Sequence, residues 1–268
     1  MKMKENSDFF RKLIMLFSQW LLKEVPLNRD YLSHYKTIEK LVKPGDVILI
    51  EGNSRVSGII RSLTHSPWTH AALCIGKVVD IKNSDTLNLI RTQYKNGSQK
   101  TCLLIESEIG AGTIISPLSK YKKYHIRVLR PKGLTSKDAE LVINYAANRL
   151  GTRYNLRHLF DLGRFLLPWS FFPKRWHSLL FEKASSITKD ICSSVIAQAF
   201  QSINFPVLPI VTKNTKKNLE LSPRNPRLYV PSDFDYSPYF DIIKYPLFPT
   251  NEKAYYHHLP WKKKMKNV

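Results

Sequence analysis

A cysteine within an apolar, helix-like segment is the residue of this sequence best suited to chemistry. Cys192 follows Thr188 and Asp190, either of which can cap a helix. The cysteine is therefore predicted to lie in the first turn, where unpaired backbone N–H groups and the helix dipole favour an anion. A thiol there loses its proton more readily, and the thiolate is a nucleophile. The apolar residues at helical spacing are Ile191, Val195, Ile196, Ala199 and Phe200.

A thiolate nucleophile works with a base, and His70 is the leading candidate. His70 follows Thr69 at the start of an apolar run that is predicted to form a strand. His65, in a turn beside Pro67, is the nearest competitor, and a histidine in such a place can also be purely structural. A cysteine paired with a histidine predicts covalent acyl chemistry, in which the sulfur attacks a carbonyl carbon.

Glu106 is the candidate for the third group, which would orient the base. It ends the apolar run that begins at Leu103, and its carboxylate could accept a hydrogen bond from the ring of His70 and fix the tautomer. Glu108 lies two residues further, on the same face of a strand, and could take its place. An acidic residue at a strand end is otherwise usually solvated.

Several short motifs, taken in chain order, carry a family resemblance. They are Gly45-Asp46 before a predicted strand, Thr69-His70, Glu106, Gly151-Thr152-Arg153-Tyr154 and Cys192-Ser193. In this order the sequence resembles the permuted papain-like thiol hydrolases of the NlpC/P60 superfamily, in particular the YiiX-like branch. The resemblance covers residues 41–243, including Ser232-Asp233-Phe234.

The resemblance implies an α+β fold, with a small antiparallel, barrel-like sheet packed on helices that include the nucleophile helix. It assigns Cys192 as nucleophile, His70 as base, Glu106 as the orienting acid and Tyr154 as a residue lining the substrate pocket. The implied activity is cleavage of an amide, ester or thioester, by a peptidase or amidase or by a lipid acyl hydrolase or acyltransferase. A catalytically silent binding module of the same fold remains an alternative.

The 268 residues are expected to form one main domain. Residues 1–40 are predicted to be an amphipathic helical segment, residues 41–250 the catalytic domain, and residues 251–268 a basic tail. Within the domain, an aromatic and proline-broken insertion is predicted at residues 157–187. Secondary structure is predicted as a helix over Thr135–Leu150 and a hairpin through Gly76-Lys77 with its second strand at Val78–Ile81. Residues 82–101 are predicted as loop, with a strand at Leu87–Ile90 as an alternative, and residues 206–231 as coil.

The net charge of +21 restricts the kinds of partner. An anionic membrane surface or an acidic partner is favoured over nucleic acid, because no helix-turn-helix, zinc-finger or RNP pattern occurs. A basic surface without a dedicated partner fits equally well, and a nucleic-acid-binding protein stays as an alternative. No cleavable signal peptide is evident. The sequence therefore predicts a cytoplasmic protein, with peripheral membrane binding through the N-terminal segment left open.

Neither a metal nor another cofactor is expected from the sequence. The three cysteines lack paired or metal-type spacing, and no His-Glu-x-x-His or glycine-rich phosphate loop occurs. Cys74 and Cys102 lie in apolar, strand-like runs, which indicates buried free thiols in a reducing compartment.

Overall fold

The computed structural model of the chain describes residues 20, 23–25, 33–95, 97–108, 110–152, 192–213, 218–248 and 253–261. Within them the protein is a mixed α+β fold with an antiparallel sheet, which confirms the predicted fold class. The strands are β1 (Val47–Glu51), β2 (His70–Lys77), β3 (Cys102–Glu108), β4 (Gly112–Pro117), β5 (His125–Pro131), β6 (Ile210–Lys213), β7 (Leu219–Ser222) and β8 (Phe240–Ile243). The helices are α1 (Tyr35–Leu41), α2 (Arg55–Thr64), α3 (Ser84–Gln93), α4 (Ser136–Ala147), α5 (Ser193–Gln201) and α6 (Pro231–Tyr236).

Six of the strands form one sheet in the order β4-β3-β2-β1-β5-β8, and every neighbouring pair is antiparallel. Strands β6 and β7 form a separate two-stranded hairpin. In the main sheet, Ala72 of β2 lies opposite Glu106 of β3. This register brings the first residue of β2 and the second half of β3 to the same region of the sheet.

The two faces of the sheet belong to two hydrophobic clusters. One face carries Leu49, Leu73 and Ile105, which pack with buried residues of α4 and α5. The other face carries Ile48, Ala72 and Leu104. Because side chains alternate along a strand, His70 and Glu106 share the face of Ala72 and Leu104. The members of the second cluster are Ile38, Ile48, Ile50, Ala72, Cys74, Cys102, Leu104, Leu118, Tyr121, Ile126 and Val128.

The Gly45-Asp46 motif has a structural role at the start of β1. Gly45 adopts a φ of +90°, and its N–H donates to the carbonyl of Cys74 at 2.8 Å. The carboxylate of Asp46 is buried and accepts two hydrogen bonds from Arg130, at 2.9 and 2.8 Å. It also accepts one from the backbone N–H of Lys43 at 2.8 Å. The motif therefore joins β1, β2 and β5 at the end of the sheet opposite His70.

Helix α4 agrees with its prediction at the start and ends earlier than expected. Thr135 caps it by accepting from the N–H of Asp138 at 3.1 Å. The helix itself ends at Ala147, three residues before Leu150, and Gly151 has a φ of +78°.

Three other predictions were wrong. Residues 84–93 form helix α3 where loop was predicted, because Asn83 caps the N–H of Thr86 at 2.9 Å and Ile90 is fully buried. Val78–Asp80 is a 3₁₀ turn where a strand was predicted. The β6–β7 hairpin lies within the stretch predicted as coil.

Of the predicted N-terminal segment, residues 20, 23–25 and 33–40 are described. The rest of that segment and the whole 157–187 insertion lie outside the described residues. Within the residues that are described, no helix is both long enough and apolar enough to span a membrane.

Candidate active site

Cys192 stands immediately before helix α5, as its N-cap residue. The prediction placed it within the first turn, and the candidate caps Thr188 and Asp190 lie outside the described residues. The sulfur accepts hydrogen bonds from the backbone N–H groups of Ala71 and Ser193. Both the helix end and strand β2 therefore present positive backbone dipoles to the sulfur, which favours the thiolate.

Helix α5 is held firmly behind the cysteine. The hydroxyl of Ser193 is buried and donates to the backbone carbonyl of Tyr229 at 2.5 Å. Ile196 and Phe200 are buried against the sheet in the first hydrophobic cluster. Burial of an apolar side chain of this size contributes about 1.5–3 kcal/mol. The position of the sulfur is thus fixed by packing on one side and by a backbone contact on the other.

The structure brings His70 between Cys192 and Glu106. Its Nε2 lies 2.6 Å from Oε2 of Glu106, and its ring is also in hydrogen-bonding contact with the thiol of Cys192. Since Nε2 contacts the carboxylate of Glu106, we assign the contact with the sulfur to the other ring nitrogen, Nδ1. The three residues form the series sulfur, imidazole, carboxylate that a thiol hydrolase requires, although their catalytic role stays a prediction.

The pairing of Cys192 and His70 changes the charge state of both residues. Burial by itself raises the pKa of the thiol and lowers the pKa of the imidazole, since it disfavours both charged forms. The hydrogen bond and the opposite charges outweigh burial at each residue. As a result the pKa of Cys192 lies below its ordinary value, and the pKa of His70 is raised to about 10. His70 is therefore an imidazolium at neutral pH, and the thiolate of Cys192 forms at a lower pH than that of an ordinary cysteine.

This charge pair predicts a bell-shaped pH dependence for amide cleavage. The rate should rise on the acidic side as Cys192 becomes a thiolate, at a pH below that of an ordinary cysteine. It should fall near pH 10, as His70 loses the proton that the leaving amine needs. Initial rates of 4-nitroaniline release from an acyl 4-nitroanilide between pH 5 and 11 measure both limbs. A rate that keeps rising above pH 10 would contradict the assignment.

Glu106 reaches His70 diagonally across the sheet. It lies opposite Ala72, which is two residues after His70 on the same face, and diagonal neighbours are within reach of long side chains. The small side chain of Ala72 leaves the space between them open. Glu108, the predicted substitute, contacts Lys120. The structure therefore selects Glu106 as the partner of the His70 ring.

Two further residues that sequence reasoning missed hold the carboxylate of Glu106. Lys120 donates from Nζ to Oε1 at 2.7 Å, and the hydroxyl of Tyr121 donates to Oε2. Burial alone raises the pKa of Glu106, but the contacts with His70 and Lys120 hold it well below its usual range. Both residues belong to the 3₁₀ turn Leu118–Tyr121 after β4. In the sequence, Lys120 belongs to the short basic run Lys120-Tyr121-Lys122-Lys123, which gives no signal of this contact.

A second group of missed residues fixes the turn that precedes His70. Trp68 donates from its indole N–H to Asp235 at 3.2 Å, and Arg127 donates to both oxygens of Asp235 at 2.7 Å. The guanidinium of Arg127 also lies 4.7 Å from the centre of a Trp68 ring. These contacts tie α6 and β5 to the start of β2, and so help to position His70.

The competing histidines lie elsewhere. His65 ends helix α2 in a left-handed conformation, with a φ of 49°. His125 begins β5, and its Nδ1 lies 3.0 Å from Glu51. Tyr154, the predicted pocket residue, lies outside the described residues.

The other two cysteines are buried within the sheet. The sulfurs of Cys74 and Cys102 lie 3.6 Å apart, on the face of the second hydrophobic cluster. In the described part of the chain, no group of three or more His, Cys, Asp and Glu side chains is arranged to hold a metal ion.

Comparisons with known proteins found a matching family model and similar solved structures. A sequence model described as "permuted papain-like amidase enzyme, YaeF/YiiX, C92 family" matches residues 41–163, which include His70 and Glu106. Among solved structures, the crystal structure of metalloprotein yiiX from Escherichia coli O157:H7 is similar, with a TM-score of 0.44 and 16% sequence identity. That similarity covers 75% of this chain and 96% of the yiiX chain. No curated protein sequence matches.

Proposed function

We propose that this chain is a member of the permuted papain-like amidase family of the YaeF/YiiX type, whose model matches residues 41–163, and that it cleaves an amide, ester or thioester bond through Cys192, His70 and Glu106. The observation that best supports the proposal is the hydrogen-bonded series from the sulfur of Cys192, through the His70 ring, to the buried carboxylate. A histidine that serves only the core does not need a thiol on one nitrogen and a carboxylate on the other.

The first half of the reaction forms a thioester. The thiolate of Cys192 attacks the carbonyl carbon of the substrate, and the oxygen takes up the negative charge of a tetrahedral intermediate. The backbone N–H of Cys192 is the candidate donor to this oxyanion. When the intermediate collapses, the bond to the leaving group breaks and the imidazolium of His70 gives the leaving group its proton. The acyl group then remains on sulfur, and His70 is neutral.

The second half releases the acyl group. Neutral His70 takes a proton from water, or from another acceptor, as the oxygen attacks the thioester carbon. Collapse of the second intermediate breaks the carbon–sulfur bond, which restores the thiolate beside the imidazolium. Glu106 remains ionised throughout and keeps the ring of His70 in one orientation.

Acyl transfer from 4-nitrophenyl butyrate tests the proposal without knowledge of the natural substrate. After rapid acid quench, peptide mass spectrometry should find the butyryl group on Cys192. Cys74 and Cys102 provide the internal control, because they are buried like Cys192 but contact each other, whereas Cys192 contacts His70. The Cys192→Ala variant should carry no adduct. An adduct spread over all three cysteines, or absent from the native protein, would refute the proposal.

A further inference from the structure

The buried carboxylate of Glu106 is held between two cations. His70 lies 2.6 Å from Oε2, and Lys120 lies 2.7 Å from Oε1. The side chain of Glu106 is fully buried, with an exposed fraction of 0%. Tyr121 adds a neutral hydroxyl donor to Oε2. Each carboxylate oxygen therefore faces a cation, and only one of the two cations is the proposed catalytic base.

Lys120 is fixed by more contacts than a surface ion pair would provide. Its ammonium group contacts Glu106 and Glu108, lies 3.5 Å from the hydroxyl of Ser116, and lies 5.1 Å from the centre of the Tyr121 ring. Ordering a long lysine side chain costs conformational entropy, and an exposed pair returns little free energy. Here the side chain is 35% exposed, but it ends on a carboxylate that solvent does not reach.

We propose that Lys120 is a positioning residue that acts through Glu106: its ammonium group offsets part of the negative charge beside His70, and so sets the pH range in which the Cys192–His70 pair reacts. This inference rests on the proposed function, since it concerns the same site. It assigns a role to the 3₁₀ turn after β4, which otherwise contributes only Tyr121 to the cluster.

The direction of the effect follows from the charges around the pair. The titratable groups that face it from the neighbouring elements are Glu106 and Glu108 of β3, Lys120, Tyr121 and nearby Tyr124 on and after the 3₁₀ turn, and Cys192 itself. With Lys120 neutralised, these groups become more negative as a set. A more negative surrounding stabilises the imidazolium and destabilises the thiolate. Both the pKa of His70 and the pKa of Cys192 should therefore rise.

A change that moves both pKa values upward distinguishes this role from simple support of the fold. If Lys120 only stabilised the fold, its loss would lower the reaction rate at every pH or loosen the His70–Glu106 contact. A looser contact would lower the pKa of His70. Loss of the cation moves the whole reactive range to higher pH. The Nζ of Lys120 lies 2.7 Å from the carboxylate that contacts His70, and loss of this unit charge is expected to shift each limb by roughly one pH unit.

The test compares Lys120→Met with Lys120→Arg and Lys123→Met in the full-length protein. The rate of carbamidomethylation of Cys192 by iodoacetamide is followed from pH 4 to 9 by peptide mass spectrometry. The titration of His70 is followed by NMR of histidine-labelled protein over a range that extends above its pKa of about 10. Lys120→Met should move the alkylation limb and the His70 titration upward by roughly one pH unit. Lys120→Arg retains the charge and should move them much less. Lys123→Met removes the same charge from an exposed position nearby and should leave both unchanged.

Two results would overturn the inference. One is a folded Lys120→Met protein with both titrations at the native positions. The other is an equal shift in Lys123→Met, which would show a general effect of surface charge. Lys120→Gln, which keeps a donor for Glu106, provides a second neutral variant if Lys120→Met unfolds. If the native protein forms no acyl adduct, the proposed function fails, while the His70 titration still decides the role of Lys120.

Discussion

Replacing His70 by alanine is expected to lower kcat/KM for a 4-nitroanilide substrate by roughly a thousandfold or more. The variant loses the imidazole, which both stabilises the thiolate and protonates the leaving amine, and the loss of either role slows the same reaction. The pH at which iodoacetamide begins to alkylate Cys192 should also rise toward the value for an ordinary thiol, because His70 lowers the pKa of Cys192. Nitroaniline release and the iodoacetamide rate measure the two effects separately.

His125→Ala is the matched control for this variant. His125 also contacts a glutamate, with Nδ1 3.0 Å from Glu51, and it begins β5, two strands away from His70 in the same sheet. Loss of its imidazole should leave kcat/KM within a few-fold of the native protein. If His125→Ala and His70→Ala lose activity equally, the base has been assigned to the wrong histidine.

Replacing Arg130 by methionine is expected to lower the free energy of unfolding by roughly 3 kcal/mol. Asp46 is 1% exposed, and Arg130 supplies two of its hydrogen bonds. Without the guanidinium, the carboxylate is left in the sheet with the N–H of Lys43 as its remaining partner among those described above. The midpoint of urea unfolding, at an unchanged m-value, measures the loss.

A double variant separates the buried charge from the packing of the arginine. Asp46→Leu combined with Arg130→Met removes both charges and should recover a large part of the stability, since a buried pair can be replaced by apolar groups at little cost. Lys132→Met removes a cation from an exposed pair with Asp241 and should cost less than about 0.5 kcal/mol. Equal losses in Lys132→Met and Arg130→Met would contradict the assigned role of Asp46.

The sequence allowed prediction of those residues of the proposed site whose types are restricted by the chemistry. A cysteine at a helix start, a histidine opening an apolar strand and a glutamate ending another were sufficient to choose Cys192, His70 and Glu106. The structure brings these three residues into contact. The choice between Glu106 and Glu108 needed the register of β2 and β3, because both lie on the same face of one strand.

The residues that support the proposed site could not be found in this way. Lys120 and Tyr121 contact Glu106 only because a 3₁₀ turn returns the chain across the sheet, and Arg127 contacts Asp235 across 108 residues of sequence. Lysine, tyrosine and arginine are also common on any surface. Their roles arise from tertiary contacts, and local spacing carries no record of such contacts.

Secondary structure was predicted best where capping and periodicity agreed. Thr135 marks the start of α4 by a cap that the structure confirms. In α3, the apolar residues are only Leu87, Leu89 and Ile90, too few to show a helical period, and Asn83 was not recognised as the cap. The β6–β7 hairpin has strands of only four residues with exposed side chains, and the alternation in Leu219–Ser222 is too short to identify a strand in a proline- and lysine-rich stretch.

The anchoring of Ser193 on the backbone of Tyr229 has a consequence for how the protein is made. Translation produces the imidazole and the carboxylate more than a hundred residues before it reaches the region of Tyr229. A nascent chain arrested before that point can already pair β2 with β3, but its sulfur has no fixed helix end behind it. The helix end behind this thiol is therefore complete only after nearly the whole domain has left the ribosome.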